Sequence, residues 1–255
     1  GFIVSQQYNP NFLDNLIYVP LILLGIEEIA GGKRSFKLPI FLSISLITNF
    51  YTGYMMCLFV ALYTFYIIFS TDDPLIEALL KMGRVALFAL IGVGIAAFWL
   101  LPVFSALLES KASAGSTFAW SWDFVNDVVA MPQKFILGSF GEKEWGDPKA
   151  LPQLYIGGLA LFGLFTFFAK KEITLLKKLS AIVVLLVLFL SFSIQGFDQI
   201  WHMGQRPVGF FFRNSWVANS FMLVLASESL LQWKDKLRLS EFLVAIFGFG
   251  SILVL

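Results

Sequence analysis

Apolar runs recur along the chain and are separated by short polar connections. A helix needs about 20 apolar residues to cross a bilayer, and roughly 17 to 25 are tolerated. The pattern therefore predicts an all-α protein, a polytopic transmembrane bundle of about eight spans with the last one truncated. The predicted spans are 14–30, 38–49, 53–69, 85–108, 154–169, 179–194, 214–231 and 241–255.

The run 38–66 is too long for one ordinary span and short for two. Polar and glycine turn chemistry interrupts it at Asn49-Phe50-Tyr51-Thr52-Gly53-Tyr54. We predict two short helices joined by a tight turn there. The turn is either a hairpin tip that carries interfacial aromatic residues, or a source of ligands, Asn49 and Tyr51, for a cavity shared with the neighbouring loops.

The basic residues alternate from one connection to the next. Of the 18 lysines and arginines, 12 fall in the connections 31–37, 70–84, 169–178 and 232–241. Cytoplasmic loops carry such an excess because basic residues near a span resist translocation. The alternation predicts a single transmembrane domain over residues 1–255 whose long loops, 109–153 and 195–212, lie outside the cell. Within 70–84, Thr71 or Asp72 before Pro74 is expected to start a short interfacial helix.

Composition supports this assignment and excludes several functions. Hydrophobic residues make up 58% and charged residues 14%, whereas a soluble domain has about a quarter charged. The net charge of +1 gives no basic field for nucleic acid. Cys57 is the only cysteine, and no metal-ligand spacing or phosphate-binding glycine loop occurs, so no metal or cofactor is predicted. The start at Gly1 and the short final apolar run lead us to expect an internal piece of a longer protein.

The first long loop is rich in tryptophan and acid. We predict a short helix over 121–130 with Trp120, Phe124 and Val128 on one face, stopped by Pro132. One interpretation is an amphipathic helix in the headgroup layer. The other is a carbohydrate platform, in which Trp120 and Trp122 pack on sugar faces while Asp123 and Asp127 accept hydroxyl hydrogen bonds. The two interpretations are compatible.

The second long loop carries Asp198, His202, Arg206 and Arg213. Arg213 adjoins the predicted helix 214–231, which Asn214 or Ser215 is expected to cap. A guanidinium beside a helix N-terminus suits a phosphate, because both supply donors and positive potential. The alternative is an arginine that reaches lipid headgroups. His202 is interpreted as a structural or interfacial histidine, or else as a base or ligand.

Four stretches of the chain resemble the YfhO family of bacterial multi-pass membrane proteins. They are 14–28 (DNLIYVPLILLGIEE), 47–56 (ITNFYTGYMM), 154–163 (LYIGGLALFG) and 210–223 (FFFRNSWVANSFML). That family is regarded as similar to the GT-C membrane glycosyltransferases. The resemblance implies a bacterial cell-membrane enzyme that moves a sugar from a polyprenyl-phosphate donor to a cell-wall polymer, such as teichoic acid, on the outer face.

The resemblance also implies roles for particular residues. Arg213, and after it Arg206, would stabilise the departing polyprenyl phosphate. Contacts to the sugar or the acceptor would come from both loops and the turn: Trp120, Trp122, Asp127, Asn49, Tyr51 and His202. The catalytic base of GT-C enzymes follows the first span, so we expect it upstream of Gly1 and the fragment inactive alone. Within this chain, Asp14 and Asp123 are weak candidates for the catalytic base, and Asp14 is better explained as a helix cap.

Two other functions remain open. A transporter or flippase of lipid-linked sugars predicts a continuous polar path through the spans, and the chain has almost no ionisable residue near mid-span. A non-catalytic scaffold for envelope assembly predicts that outer acids and arginines can be removed without loss of sugar transfer.

Overall fold

The computed structural model describes residues 13–109, 119–139, 150–205, 211–234 and 238–254. Within these ranges the chain is helical and contains no β-strand beyond one isolated bridge. The α-helices are α1 (Asp14–Ala30), α2 (Lys37–Thr48), α3 (Phe50–Phe69), α4 (Leu75–Glu109), α5 (Gly158–Ala169), α6 (Leu175–Ser193), α7 (Gln195–Trp201), α8 (Ser215–Leu231) and α9 (Leu239–Val254). Two 3₁₀ segments, Val128–Phe135 and Gln232–Lys234, complete the order.

The all-helical membrane architecture predicted from the sequence is confirmed. Among the described residues, three helices, α3, α4 and α6, are long and apolar enough to cross a bilayer, and α2, α5, α8 and α9 are shorter apolar helices. A helix occupies each of the eight predicted positions. The count of eight crossings remains a prediction, because several of these helices are shorter than the hydrocarbon layer is thick.

Asn49 separates α2 from α3, as the interruption of the apolar run predicted. Its backbone is extended (φ −152°), and its side chain accepts hydrogen bonds from the backbone N–H of Tyr51 at 3.1 Å and of Thr52 at 3.2 Å. An N-cap asparagine satisfies donors that a helix start leaves open. The break is thus one residue long, tighter than the predicted turn.

The predicted division between an interfacial helix in 70–84 and a span at 85–108 is wrong. Residues from Leu75 onward form one continuous helix of 35 residues. Lys81 supports its first turns by pairing with Asp73 at 2.8 Å and Glu77 at 3.1 Å. The hydrogen bonds from Lys81 and then Thr71 hold the pKa of the Asp73 carboxyl below its ordinary value. No proline or glycine pair interrupts the register between Leu75 and Val85, so the helix continues.

The predicted helix over 121–130 is also wrong. Residues 119–127 are not helical, and the 3₁₀ segment Val128–Phe135 follows them, with Pro132 inside it rather than beyond its end. The four-residue spacing of Trp120, Phe124 and Val128 predicted a helix that does not form. The backbone of 121–125 bonds to another segment instead of to itself. Tertiary pairing outweighed a weak helical pattern.

α3 is the centre of the bundle. It packs against α1, α2 and α4 on one side and against α6 and α8 on the other. Phe59, Tyr63 and Tyr66 on α3 are buried, and edge-to-face contacts join Phe59 to Trp216 at 6.2 Å and Tyr66 to Phe221 at 5.1 Å. A second group of helices, α5, α8 and α9, packs alongside.

The helices run between two ends of the bundle. Asn15 of α1 donates to Thr52 of α3 at 2.5 Å, so both helices begin at one end, called here the Asn49 end. Tyr63 donates to Glu27 at 2.6 Å at the opposite end, called here the Glu27 end. Contacts between Ser180 and Phe69, and between Arg238 and Glu172, gather the basic connections at the Glu27 end. This arrangement agrees with the alternation seen in the sequence.

Close helix approach at Gly92 should make that position intolerant of a side chain. An added Cβ would lie 2.9 Å from the carbonyl oxygen of Pro39 in α2, whereas a Cβ at Gly94, two residues on, would meet nothing within 4 Å. We expect Gly92→Ala to destabilise the protein by about 1–3 kcal/mol. Gly94→Ala, the matched control, should be neutral or slightly stabilising because alanine favours a helix. Thermal unfolding in detergent measures both, and equal melting temperatures would contradict the packing described.

Candidate functional site

The two long loops meet at the Asn49 end. The backbone N–H groups of Val125, Gln195 and Gly196 donate to the carbonyls of Ser193 (2.9 Å), Asp123 (3.0 Å) and Ser121 (2.9 Å), respectively. Phe124 and Ile194 form the antiparallel bridge at the centre of this pairing. The tryptophan-rich segment and the start of the second loop are therefore joined by main-chain bonds.

An exposed aromatic ledge results, made of Trp120, Trp122 and Phe197. Ring centroids lie 5.2 Å apart for the two tryptophans and 5.1 Å apart for Trp120 and Phe197. A Cβ on Gly196 would lie 2.8 Å from the Trp120 ring, so glycine is required for this contact. Trp120 and Trp122 remain 42% and 67% exposed, which leaves aromatic surface available for a ligand.

Behind the ledge, α7 positions a polar cluster. Asp198 lies on α7 and His202 at its C-terminus, both buried, and His202 Nε2 lies 3.2 Å from Asp198 Oδ1, within ion-pair distance but not aligned as a hydrogen bond. His202 Nδ1 forms a short hydrogen bond with the hydroxyl of Tyr51 in the first turn of α3. The Arg213 guanidinium lies over the Tyr51 ring, 5.0 Å from its centroid. We call Tyr51, Asp198, His202 and Arg213 the Arg213 cluster.

Buried polar atoms without a partner concentrate around this cluster. In the described part of the chain, most of the buried side-chain polar atoms that lack a hydrogen bond belong to two short stretches, 198–202 and 214–219. The residues are Asp198, Gln199, His202, Asn214, Ser215, Trp216 and Asn219. Because buried polar groups are almost always satisfied, such a concentration is typical of a site that takes water or a ligand.

The predicted capping of α8 is wrong in its detail. Asn214 occupies the N-cap position, but it has an α-helical backbone (φ −73°, ψ −4°) and makes no capping hydrogen bond. Asn214 and Ser215 are both fully buried, and their side-chain polar atoms have no hydrogen-bond partner. These groups are thus available beside Arg213 instead of being used by the helix end.

Backbone strain flanks the same place. Met203, directly after His202, and Phe212, directly before Arg213, have φ angles of 55° and 57°, which are uncommon for residues with a side chain. Such conformations persist where the surrounding structure enforces them, and they cluster at functional sites.

An apolar groove runs between α3 and α4 and reaches the Asn49 end at Met203, the residue after His202. It consists of two adjoining cavities of about 390 and 450 Å³ that share Cys57 and Val93 in their lining. The first reaches Met82 toward the Glu27 end, and the second reaches Tyr54 and Met203 at the Asn49 end. The Tyr54 hydroxyl donates to the carbonyl of Ile200 at 2.8 Å, which fixes α7 at the groove's mouth.

The remaining predicted site residues have local partners or lie elsewhere. Asp123 accepts from the Ser121 hydroxyl at 2.5 Å, and Asp127 caps the 3₁₀ segment through Val129 N–H at 3.0 Å. Asp14 lies in the first turn of α1 without acting as its N-cap, a position taken by Leu13. Arg206 lies outside the described residues.

Sequence reasoning missed the role of Asp198. Its spacing of four residues from His202 was the available signal, because residues at i and i+4 face each other on a helix. In the part of the chain that the structure describes, no group of three His, Cys, Asp or Glu residues could hold a metal ion.

These features define a helical membrane protein with a polar site at one end of its bundle. The chain matches the family described as "Bacterial membrane protein YfhO" over residues 1–255, and it belongs to that family. It is 26% identical over 144 residues to the uncharacterized protein YfhO of Bacillus subtilis (strain 168). The match covers 53% of this chain and 16% of that relative's length. No solved structure matches the chain.

The pairing of the two loops can be tested by a disulfide. Opposite residues of an antiparallel bridge have Cα atoms about 4.5–5.5 Å apart, within disulfide range. In a Cys57→Ser background, we expect Phe124→Cys with Ile194→Cys to cross-link under mild oxidation. The control pair, Val129→Cys with Ile194→Cys, should stay reduced. A protease site inserted between the two cysteines makes the cross-link visible on a non-reducing gel, and equal yields from both pairs would refute the pairing.

Proposed function

We propose that this chain forms the outer-face site of a membrane glycosyltransferase that moves a sugar from a polyprenyl-phosphate donor to a cell-envelope polymer such as teichoic acid. The observation that carries the proposal is the position of Arg213. It lies with Tyr51 and His202 at the end of the bundle where the apolar groove reaches Met203, the residue after His202, and at the same end as the aromatic ledge. A lipid tail, a phosphate and a sugar need these three environments side by side.

The groove suits the donor's hydrocarbon tail. Its lining is almost entirely apolar over the described residues, and it follows α3 and α4 along much of their length. A flippase would need a polar path for the sugar, so this lining favours tail binding over headgroup transport.

Arg213 suits the phosphate. As the bond to the sugar breaks, negative charge develops on the departing polyprenyl phosphate, and a preorganised guanidinium stabilises it. The contact with Tyr51 holds the guanidinium at the cluster, and the hydrogen bond between Tyr51 and buried His202 holds Tyr51 in turn. On the other side of the ring, Asp198 Oδ1 lies 3.2 Å from His202 Nε2.

The aromatic ledge suits the sugar or the polymer acceptor. Sugars present apolar C–H faces that pack on aromatic rings, and Trp120 and Trp122 offer such rings with free surface. The Asn49 end of the bundle also carries Asn49, Asp123 and Asp127. Asp14 and Asp123 are the carboxylates we propose to test as acceptor base, since an acceptor hydroxyl needs a base within hydrogen-bond reach.

Replacing Arg213 by alanine should lower sugar transfer by about 100- to 1000-fold, the usual cost of losing one preorganised donor to a developing anion. The measurement is transfer of labelled sugar from polyprenyl-phosphate donor in membranes that carry the full-length protein. Arg238→Ala is the matched control, because Arg238 pairs with Glu172 at the opposite end of the bundle. Transfer by Arg213→Ala at the level of Arg238→Ala, with equal insertion of both, would remove Arg213 from the mechanism.

A further inference from the structure

A second cavity opens at the Glu27 end of the bundle, far along the helices from the Arg213 cluster. It measures about 830 Å³ and lies between α1, α3, α8 and the start of α6. Part of its lining is apolar and includes Leu24, Ile67 and Leu231. The rest is polar and includes Glu27, Lys177 and Glu228. This division suits a molecule with a polar head and an apolar portion.

Two buried phenols fix the carboxylates of this cavity. Tyr63 donates to Glu27 Oε1 at 2.6 Å, and Tyr66 donates to Glu228 Oε1 at 3.1 Å. The two rings lie one turn apart on α3 with centroids 5.9 Å apart, and both are almost fully buried. Hydrogen bonds from α3 therefore hold one carboxylate of α1 and one of α8 at the cavity.

The charges of the cavity do not balance. Lys177 pairs with Glu228 Oε2 at 2.6 Å, so that carboxylate has its cation. Glu27 accepts from the Tyr63 phenol but pairs with no lysine or arginine in the part of the chain that the structure describes. Glu27 is exposed and lines the cavity, so its carboxylate is accessible to a cationic group there.

We propose that this cavity binds a primary ammonium group attached to a molecule with an apolar portion, and that Glu27 accepts its hydrogen bonds. A primary ammonium carries three N–H donors, and the neighbouring hydroxyls of Thr71 and Ser227 offer further acceptors. The ammonium comes either from a lipid headgroup such as phosphatidylethanolamine or from a soluble amine. The site lies outside the proposed sugar-transfer site and does not depend on it.

The test compares lipids that differ in the headgroup. The intact protein in detergent is titrated with short-chain phosphatidylethanolamine, phosphatidylcholine and phosphatidylglycerol, and bound lipid is counted by native mass spectrometry. Wild-type protein should retain phosphatidylethanolamine best, because the trimethylated headgroup lacks N–H donors and the glycerol headgroup lacks a cation. If the wild-type protein retains the three lipids equally and binds neither ethanolamine nor spermidine, the proposal is overturned. This part of the test needs no substituted protein.

Glu27→Gln should lower the retention of phosphatidylethanolamine by about tenfold or more, the usual effect of losing a charge-assisted hydrogen bond. The control is Glu28→Gln. It removes the same charge from the next residue, but Glu28 pairs with Lys37 at 2.5 Å and does not line the cavity. Equal losses from both variants would contradict the proposal.

Tyr63→Phe separates binding from helix packing. The bond between Tyr63 and Glu27 also joins α1 to α3, so a purely structural role predicts that Tyr63→Phe lowers the melting temperature and that neither Tyr63→Phe nor Glu27→Gln changes headgroup preference. The proposal predicts that Tyr63→Phe keeps the preference, since Glu27 remains. A competition experiment distinguishes a soluble amine from a lipid headgroup as the source of the ammonium. If a soluble amine is the ligand, ethanolamine or spermidine at millimolar concentration displaces the bound lipid. If the lipid is the ligand, neither amine displaces it.

Discussion

The structure depends on the burial of α3 on both of its sides. Over half of its most apolar window, 56%, is buried, against 33% for α6 and 11% for α4. Because lipid is as apolar as leucine, helices in a membrane gain little from hiding apolar surface, and they associate through close packing and hydrogen bonds. α3 supplies both, with aromatic rings in edge-to-face contact along its middle and polar side chains bonded to neighbours near its two ends. The positions of α1, α6 and α8 follow from these contacts.

The two ends of α3 present different chemistry. At its first turn, Tyr51 reaches a histidine and an arginine, whereas Tyr63 and Tyr66 near its other end reach carboxylates. The same residue type thus contacts a cationic side chain at one end and carboxylates at the other. Since all three phenols belong to one rigid helix, the geometry of each end is set by the same packing.

The architecture was largely readable from the sequence, because apolar length and the placement of basic residues are properties of single segments. The break at Asn49 was readable for the same reason, since an N-cap asparagine acts within its own turn. The structure of residues 121–130 could not be read from the sequence. Its backbone carbonyls at Ser121 and Asp123 and its N–H at Val125 bond to residues about 70 positions further along, and no local period records such a pairing. Asp198 was named with its loop but given no role, because a lone acid in a loop carries little signal until a helix places it beside His202.

The length of α4 has a mechanical consequence. At 1.5 Å per residue its 35 residues extend about 52 Å, well beyond the roughly 30 Å of hydrocarbon in a bilayer. The excess must be taken up by inclination of the helix or by projection into the headgroup layer. α4 is also one wall of the apolar groove. Where inclination takes up the excess, a bilayer of another thickness changes the tilt of a helix that forms one wall of the groove.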